Sequence, residues 1–364
     1  MASSGSNFSS ASSSSSSSVA FFSSVPSLKE LAATQLVNQL GSVPAVEEFI
    51  LQRPGVDMKP LLGEALERLQ YQVNTLLVHV VKGDQKEAEE LIKVNPKLLL
   101  SKGMVVDYSD RSIEGTAFQM ALGAEDVKYH EDEECMAEMI QRYLRQLPDG
   151  ELEIQKQIQE QFPEGWEAKE NERAKNDLAA LNKVVNAISV SQPNDNCEAA
   201  LNEFREYLKP NCVIKTGKHF NAQLLVEAFK LYDKNYDRFG DYNSHKNILC
   251  WRKVIGYIQR FLPASYAQAF VQGVYYIVES GEKLNRSLKF RYENDVSFFP
   301  LDSDPSSRLG FDFAAWGGGG TRLGLCIAYV GAGSAFACQT LSSKKHLRCK
   351  SLCNVQTVTR RIAV

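Results

Sequence analysis

The chain has 364 residues, 44% hydrophobic and 23% charged, the proportions of a soluble globular protein long enough for two or three domains. A formal net charge of -3 with an isoelectric point near 6.1 excludes a general nucleic-acid binder, which needs a basic excess. The eight cysteines are scattered without the density of a secreted disulfide scaffold, which predicts reduced thiols in a cytosol. The amino-terminal stretch has no basic start and no apolar run before a small-residue cleavage site, so no secretory signal is expected.

Residues 1–24 are almost entirely Ser with Ala, Gly and Asn, a composition that predicts a disordered tail. Ser27-Leu28-Lys29-Glu30 has the spacing of a capping box, so a helix is expected to start there, with Leu28, Leu31, Leu36 and Leu40 on its apolar face and Gly41 as its C-cap. Short helices are predicted over Pro44–Leu51 and Lys59–Gln70. Leu76, Leu77, Val80 and Val81 then form a stripe at helical spacing that stops at Lys82-Gly83-Asp84, and a second helix from Gln85 to Val94 ends at Asn95-Pro96. An insertion is expected over Lys97–Val106. A turn-rich stretch from Asp107 to Gly115 follows, and Thr116–Leu122 opens another helix whose partner is predicted over Asp132–Leu147. The polar region from Glu151 to Val190 becomes amphipathic over Lys175–Ser189, and Gln192–Asn196 reads as a domain boundary. Helices are predicted to Leu208, over His219–Lys234, over Ile248–Phe261 and over Ala264–Val278. Leu288–Tyr292 and Val296–Phe299 suggest a short β-hairpin, and Gly317–Gly320 a linker. The domains expected are therefore a tail at 1–24, a helical domain at 25–192, a second helical domain at 193–313 ending in the hairpin, and a Gly-rich linker and tail at 314–364.

Few stretches suggest chemistry. Leu323–Ser343 carries no charge and precedes a basic cluster, but its Gly, Ser, Thr and Gln content favours a buried helix or tail over a membrane span. Cys338, His346, Cys349 and Cys353 lack the paired spacing of zinc knuckles, so free thiols are expected and no metal or cofactor is assigned. Asp233–Gly240 starts like a calcium loop, yet Arg238 stands where the Gly is required and Ser244 where the Glu is required. None of the histidines at 79, 130, 219, 245 and 346 pairs with a nucleophile at a motif spacing, and no Gly-x-Ser-x-Gly or His-Glu-x-x-His occurs.

The paired helices resemble ankyrin units: Thr116, Phe118, Ala121 and Leu122 occupy first-helix positions, and Gly83, Leu91 and Ile92 the turn and second helix. Ala117 and Gln119 replace the usual Pro and His, and the step from Asn74 to Thr116 exceeds the roughly 33 residues of an ordinary repeat. The fold class implied is mainly α, with ankyrin-like helical hairpins, a second helical domain and a small β-hairpin. Together with Trp251–Pro263, the stretch from Val81 to Ser109 resembles ankyrin-like proteins of intracellular bacteria of the Legionella type, over roughly residues 70–313. Many of those proteins are delivered into a host cell by a specialised secretion system of the Dot/Icm kind. The resemblance implies an effector that stays in the cytoplasm of the producing cell until it is secreted by a non-classical route. It implies a protein-protein interaction scaffold whose partner is a host protein; the net charge speaks against nucleic acid, and the polar content of Leu323–Ser343 against a membrane, as partner. The expected binding surface is the finger with Asp107, Tyr108, Asp110, Arg111 and Glu114, together with Gln119 and His79 on the adjacent helices. The alternative is an enzyme of unspecified class in the carboxy-terminal helical domain, with a polar cleft at Tyr236–Tyr242 and Asn285–Asp304.

Overall fold

The computed structural model describes residues 27–53, 58–107, 109–166, 170–241, 244–272, 274–278, 281–284 and 332–354. It is mainly helical with one small antiparallel sheet. The expected tail at 1–24, the hairpin at 288–299 and the glycine linker at 317–320 lie outside the described residues.

Helix α1 (Leu28–Leu40) begins at the expected capping box of Ser27 and Glu30 and ends at Gly41, whose φ of +73° is the left-handed geometry that suits glycine. Helix α2 spans Val43–Leu51. Helix α3 runs unbroken over Lys59–Lys82, joining two helices that the sequence suggested separately, because nothing between Gln70 and Leu76 breaks a helix. It stops at Gly83, again left-handed, and α4 (Gln85–Val94) folds back against it. The expected insertion is ordered: Asn95 caps a 3₁₀ turn over Pro96–Leu100, and strand β1 (Gly103–Val106) pairs with β2 (Ser112–Gly115), with Val105 opposite Ile113. Helix α5 (Ala117–Gly123) follows a second capping box, Thr116 with Gln119, and α6 (Met136–Leu144) returns alongside it.

The two helical pairs stack in order, α3 on α5 and α4 on α6. Leu76, Phe118 and Ile140 are fully buried in one core, and Leu91 packs against its edge. A buried side chain of this size contributes roughly 1.5–3 kcal/mol, so this seam is where the first half of the chain is held. Helix α7 (Gly150–Gln161) closes the stack with Ile154 and Ile158.

A second core is built from α8 (Glu170–Val190), α9 (Glu198–Leu208), α10 (Ala222–Lys234), α11 (Tyr236–Phe239) and the helical run α12 (His245–Ile248), a π-helical stretch (Leu249–Ile255) and α13 (Gly256–Gln259). Helices α14 (Ala264–Gln272) and α15 (Val274–Val278) complete it. Leu181, Val184, Val185 and Ile188 of α8 belong to this core, as does Tyr129, whereas Phe162 and Trp166 belong to the first. The last helix, α16 (Ala332–Asn354), spans both: Cys338 and Leu341 sit in the second core, Cys349 and Leu352 in the first. No described helix is long and apolar enough to cross a membrane.

Candidate functional site

The β1-β2 finger is built around one buried carboxylate. Asp107 accepts hydrogen bonds from Ser109 N (2.9 Å), Ser109 Oγ (2.7 Å) and Arg111 N (3.1 Å), and Arg111 Nη2 lies 2.7 Å from its second oxygen. Burial by itself would raise the Asp107 carboxyl, but the Arg111 guanidinium and these hydrogen bonds hold it below the usual carboxylate value. Arg111 also donates to the carbonyl of His219 at 2.9 Å, which ties the fingertip to the loop before α10. That loop adds an extended residue to the sheet: Ile214 donates to Ser112 O (2.8 Å) and accepts from Glu114 N (2.9 Å), parallel to β2.

Several residues expected to face a partner are thereby internal. Asp107 and Arg111 are buried, and their polar groups are consumed in holding the finger. Gln119 is buried as well, because its amide closes the Thr116 capping box and donates to Gln157 O and Glu160 Oε2, both at 3.1 Å. Asp110 and Glu114 remain partly exposed but engaged, Asp110 with Arg260 (2.8 Å) and Glu114 with Lys215 (2.8 Å). His79 lies apart from the finger residues, at the α3-α4 turn, 3.3 Å from Asp84. Tyr108 lies outside the described residues.

The exposed face of the finger was missed in the sequence. Met104 and Val106 are 59% and 58% exposed while Val105 between them is buried, the alternation of a half-buried strand. The signal was present in Gly103-Met104-Val105-Val106 but was absorbed into the insertion expected there.

Beside the finger lies a cleft of about 610 Å³, walled by the 209–221 loop, α8, α9, α13 and Arg111. Asp177 organises one wall, accepting from Tyr207 Oη (2.8 Å) and Asn221 Nδ2 (2.7 Å). Partial burial and the Asp177 carboxylate push the Tyr207 phenol up to about 12, so it stays a neutral donor. On the opposite wall His219 is buried, and burial, reinforced by Arg111, lowers it to about 3.

A second buried polar group joins the two cores at α16. Lys345 Nζ donates to Glu125 O, Val127 O and Ser265 Oγ, each at 3.2 Å. The Glu125 side chain accepts from Tyr266 Oη (2.6 Å) and lies 3.3 Å from Lys218 Nζ, which also reaches His346 Nδ1 at 3.1 Å. Burial first, then the Glu125 charge, raises the Tyr266 phenol well above its ordinary value. The cysteines of α16 point into different cores, with burial raising Cys338 and Cys353 to about 12. Among the described residues no three His, Cys, Asp or Glu side chains converge to hold a metal ion. Asp233, at the start of the stretch read as a degenerate calcium loop, is raised by burial; of the region proposed for an enzyme cleft, Tyr242 and the stretch from Asn285 to Asp304 lie outside the described residues.

No family model matches the chain, and no solved structure matches it. An uncharacterized protein of Coxiella burnetii (strain RSA 493 / Nine Mile phase I) is 26% identical over 341 residues, covering 90% of this chain and 84% of the relative.

Proposed function

We propose that the protein is a protein-protein interaction scaffold, acting as a bacterial effector on a protein of a host cell through the finger and its flank. The observation that supports this reading is the finger itself: a hairpin set between two stacked helical pairs, its turn locked by Asp107 and Arg111, presenting Met104 and Val106 outward. A rigid support that displays apolar side chains on an edge strand is the arrangement by which strand edges and repeat scaffolds engage other chains. The buried members of the finger supply its rigidity, and the contact falls to the alternate residues. Loss of affinity is expected in a Met104→Asp, Val106→Asp double variant, whose changes fall on exposed positions and leave the thermal midpoint within about 4 °C of the parent. Quantitative capture from a eukaryotic lysate, variant against parent, is the check: partners retained equally by both sink the reading.

A further inference from the structure

We propose that the cleft beside the finger docks an extended acidic peptide, which adds as a strand along residues 213–215 and sets its carboxylates against Arg173, Lys209 and Lys215. This rests on the scaffold reading and supplies the chemistry of the partner.

The strand edge comes first. Ile214 spends both its amide and its carbonyl on β2. Successive backbone groups of an extended chain point to opposite sides, so the amides and carbonyls of Val213 and Lys215 point away from β2. Val213, Ile214 and Lys215 all line the cleft. An edge of this kind is a template for a further strand, which gains affinity from main-chain hydrogen bonds and selectivity from alternate side chains.

The floor and the rim then define those side chains. Phe220, Leu224, Ile258 and Phe261 form an apolar floor, each no more than 6% exposed. Among the described residues that line the walls, Asp177 is the one acid, and it is occupied by Tyr207 and Asn221. Arg111 and Lys218 are neutralised from behind by Asp107 and Glu125 and count for little. Arg173, Lys209 and Lys215 differ: their side chains are 55%, 63% and 64% exposed, and their partners are Asp177 at 4.0 Å, Glu206 at 3.4 Å and Glu114 at 2.8 Å. The Lys209–Glu206 and Lys215–Glu114 pairs lie at the surface and contribute at most about 1 kcal/mol, and the buried Asp177 keeps its bonds from Tyr207 and Asn221 when Arg173 turns away, so an incoming carboxylate replaces these partners at small cost. An apolar floor under a cationic rim beside a strand edge fits a chain that alternates apolar with acidic residues.

The test is fluorescence anisotropy on the full-length protein with a labelled short peptide alternating Val with Asp or Glu. Three companions accompany it: a copy with Lys in place of the acids, a copy N-methylated at alternate amides, and inorganic phosphate as competitor. Saturable binding of the acidic peptide is expected, weakening with salt, absent for the Lys copy and lost on N-methylation. It is expected to fall at least about tenfold in Arg173→Glu, Lys209→Glu, Lys215→Glu and in the milder triple Gln variant, both with parental melting curves. No saturable binding, equal binding of the Lys copy, indifference to N-methylation, displacement by millimolar phosphate, or an unaffected Gln variant each overturns it. Failure here with capture that still depends on Met104 and Val106 removes the cleft proposal alone. Intact peptide binding with finger-independent capture removes the finger as the contact instead.

Discussion

His219 lies so close to Gly123 that a Cβ on that glycine would meet its Nε2 at 2.3 Å. The same backbones are joined by the His219 amide, which donates to Gly123 O at 2.8 Å. Gly123→Ala is therefore expected to cost about 1–3 kcal/mol as overpacking, measured as a lower denaturation midpoint. The enclosure of His219 has a consequence for pH. Burial, then Arg111, lowers its folded value from 6.5 to about 3, so between those limits the unfolded chain holds the extra proton. The stability tied to neutral His219 is present above about pH 6.5 and lost as the pH falls toward 3, with a slope approaching ~1.4 kcal/mol per pH unit. His219→Gln should flatten that slope when urea unfolding is compared at mildly acidic and neutral pH; parallel profiles for the two proteins would sink the assignment.

Thr116 shows how one element start was readable and its environment was not. The Thr-x-x-Gln spacing announces a cap, and the helix does begin there. What no local pattern announces is that the hydroxyl also meets Gln157 Oε1, and that Gln157 reaches back to Leu99 O at 3.1 Å, from a stretch whose sequence reads only as polar. Its glutamines at 157 and 161 look like solvent-facing residues in sequence, yet both are buried, Gln157 against the hairpin units and Gln161 on the backbone of Gly217. Thr116→Val removes the cap and strands buried amide groups together, so a loss of about 1–3 kcal/mol is expected, seen as a shifted urea midpoint with an unchanged slope. The same contrast governs the finger. Gly, Asp and Ser punctuation gave its turn, but Asp107 and Arg111, which as charged residues read as surface, are the buried pair that makes the turn rigid. Local periodicity carries the existence of the helices and the seam of Leu76, Phe118 and Ile140. Pairings set by distant parts of the chain, such as Ile214 with Ile113, leave no trace in a short window.

Across the whole molecule, α16 is the member that the two cores share. Its lysine at 345 is fully buried, an uncommon place for that residue, and is accommodated because its donors meet two carbonyls and a hydroxyl. Lys345→Met keeps the stem and removes the donors. It is expected to cost on the order of 3 kcal/mol through the unpaired carbonyls, and hydrogen exchange should rise in α10 and α15, on which α16 packs. Unchanged exchange there would mean that the helix is not held by this contact.

The Lys345 bond to Glu125 closes a separation of 220 positions. During synthesis on the ribosome, every other described element therefore leaves the exit tunnel before the piece that seals the join between the halves. Nascent chains arrested before position 332 should expose sticky surface on both sides of that join, bind an apolar dye and recruit holdase chaperones, whereas chains arrested well beyond 354 should not. Closure across so long a span also favours a slow final phase in refolding, after most helices have formed.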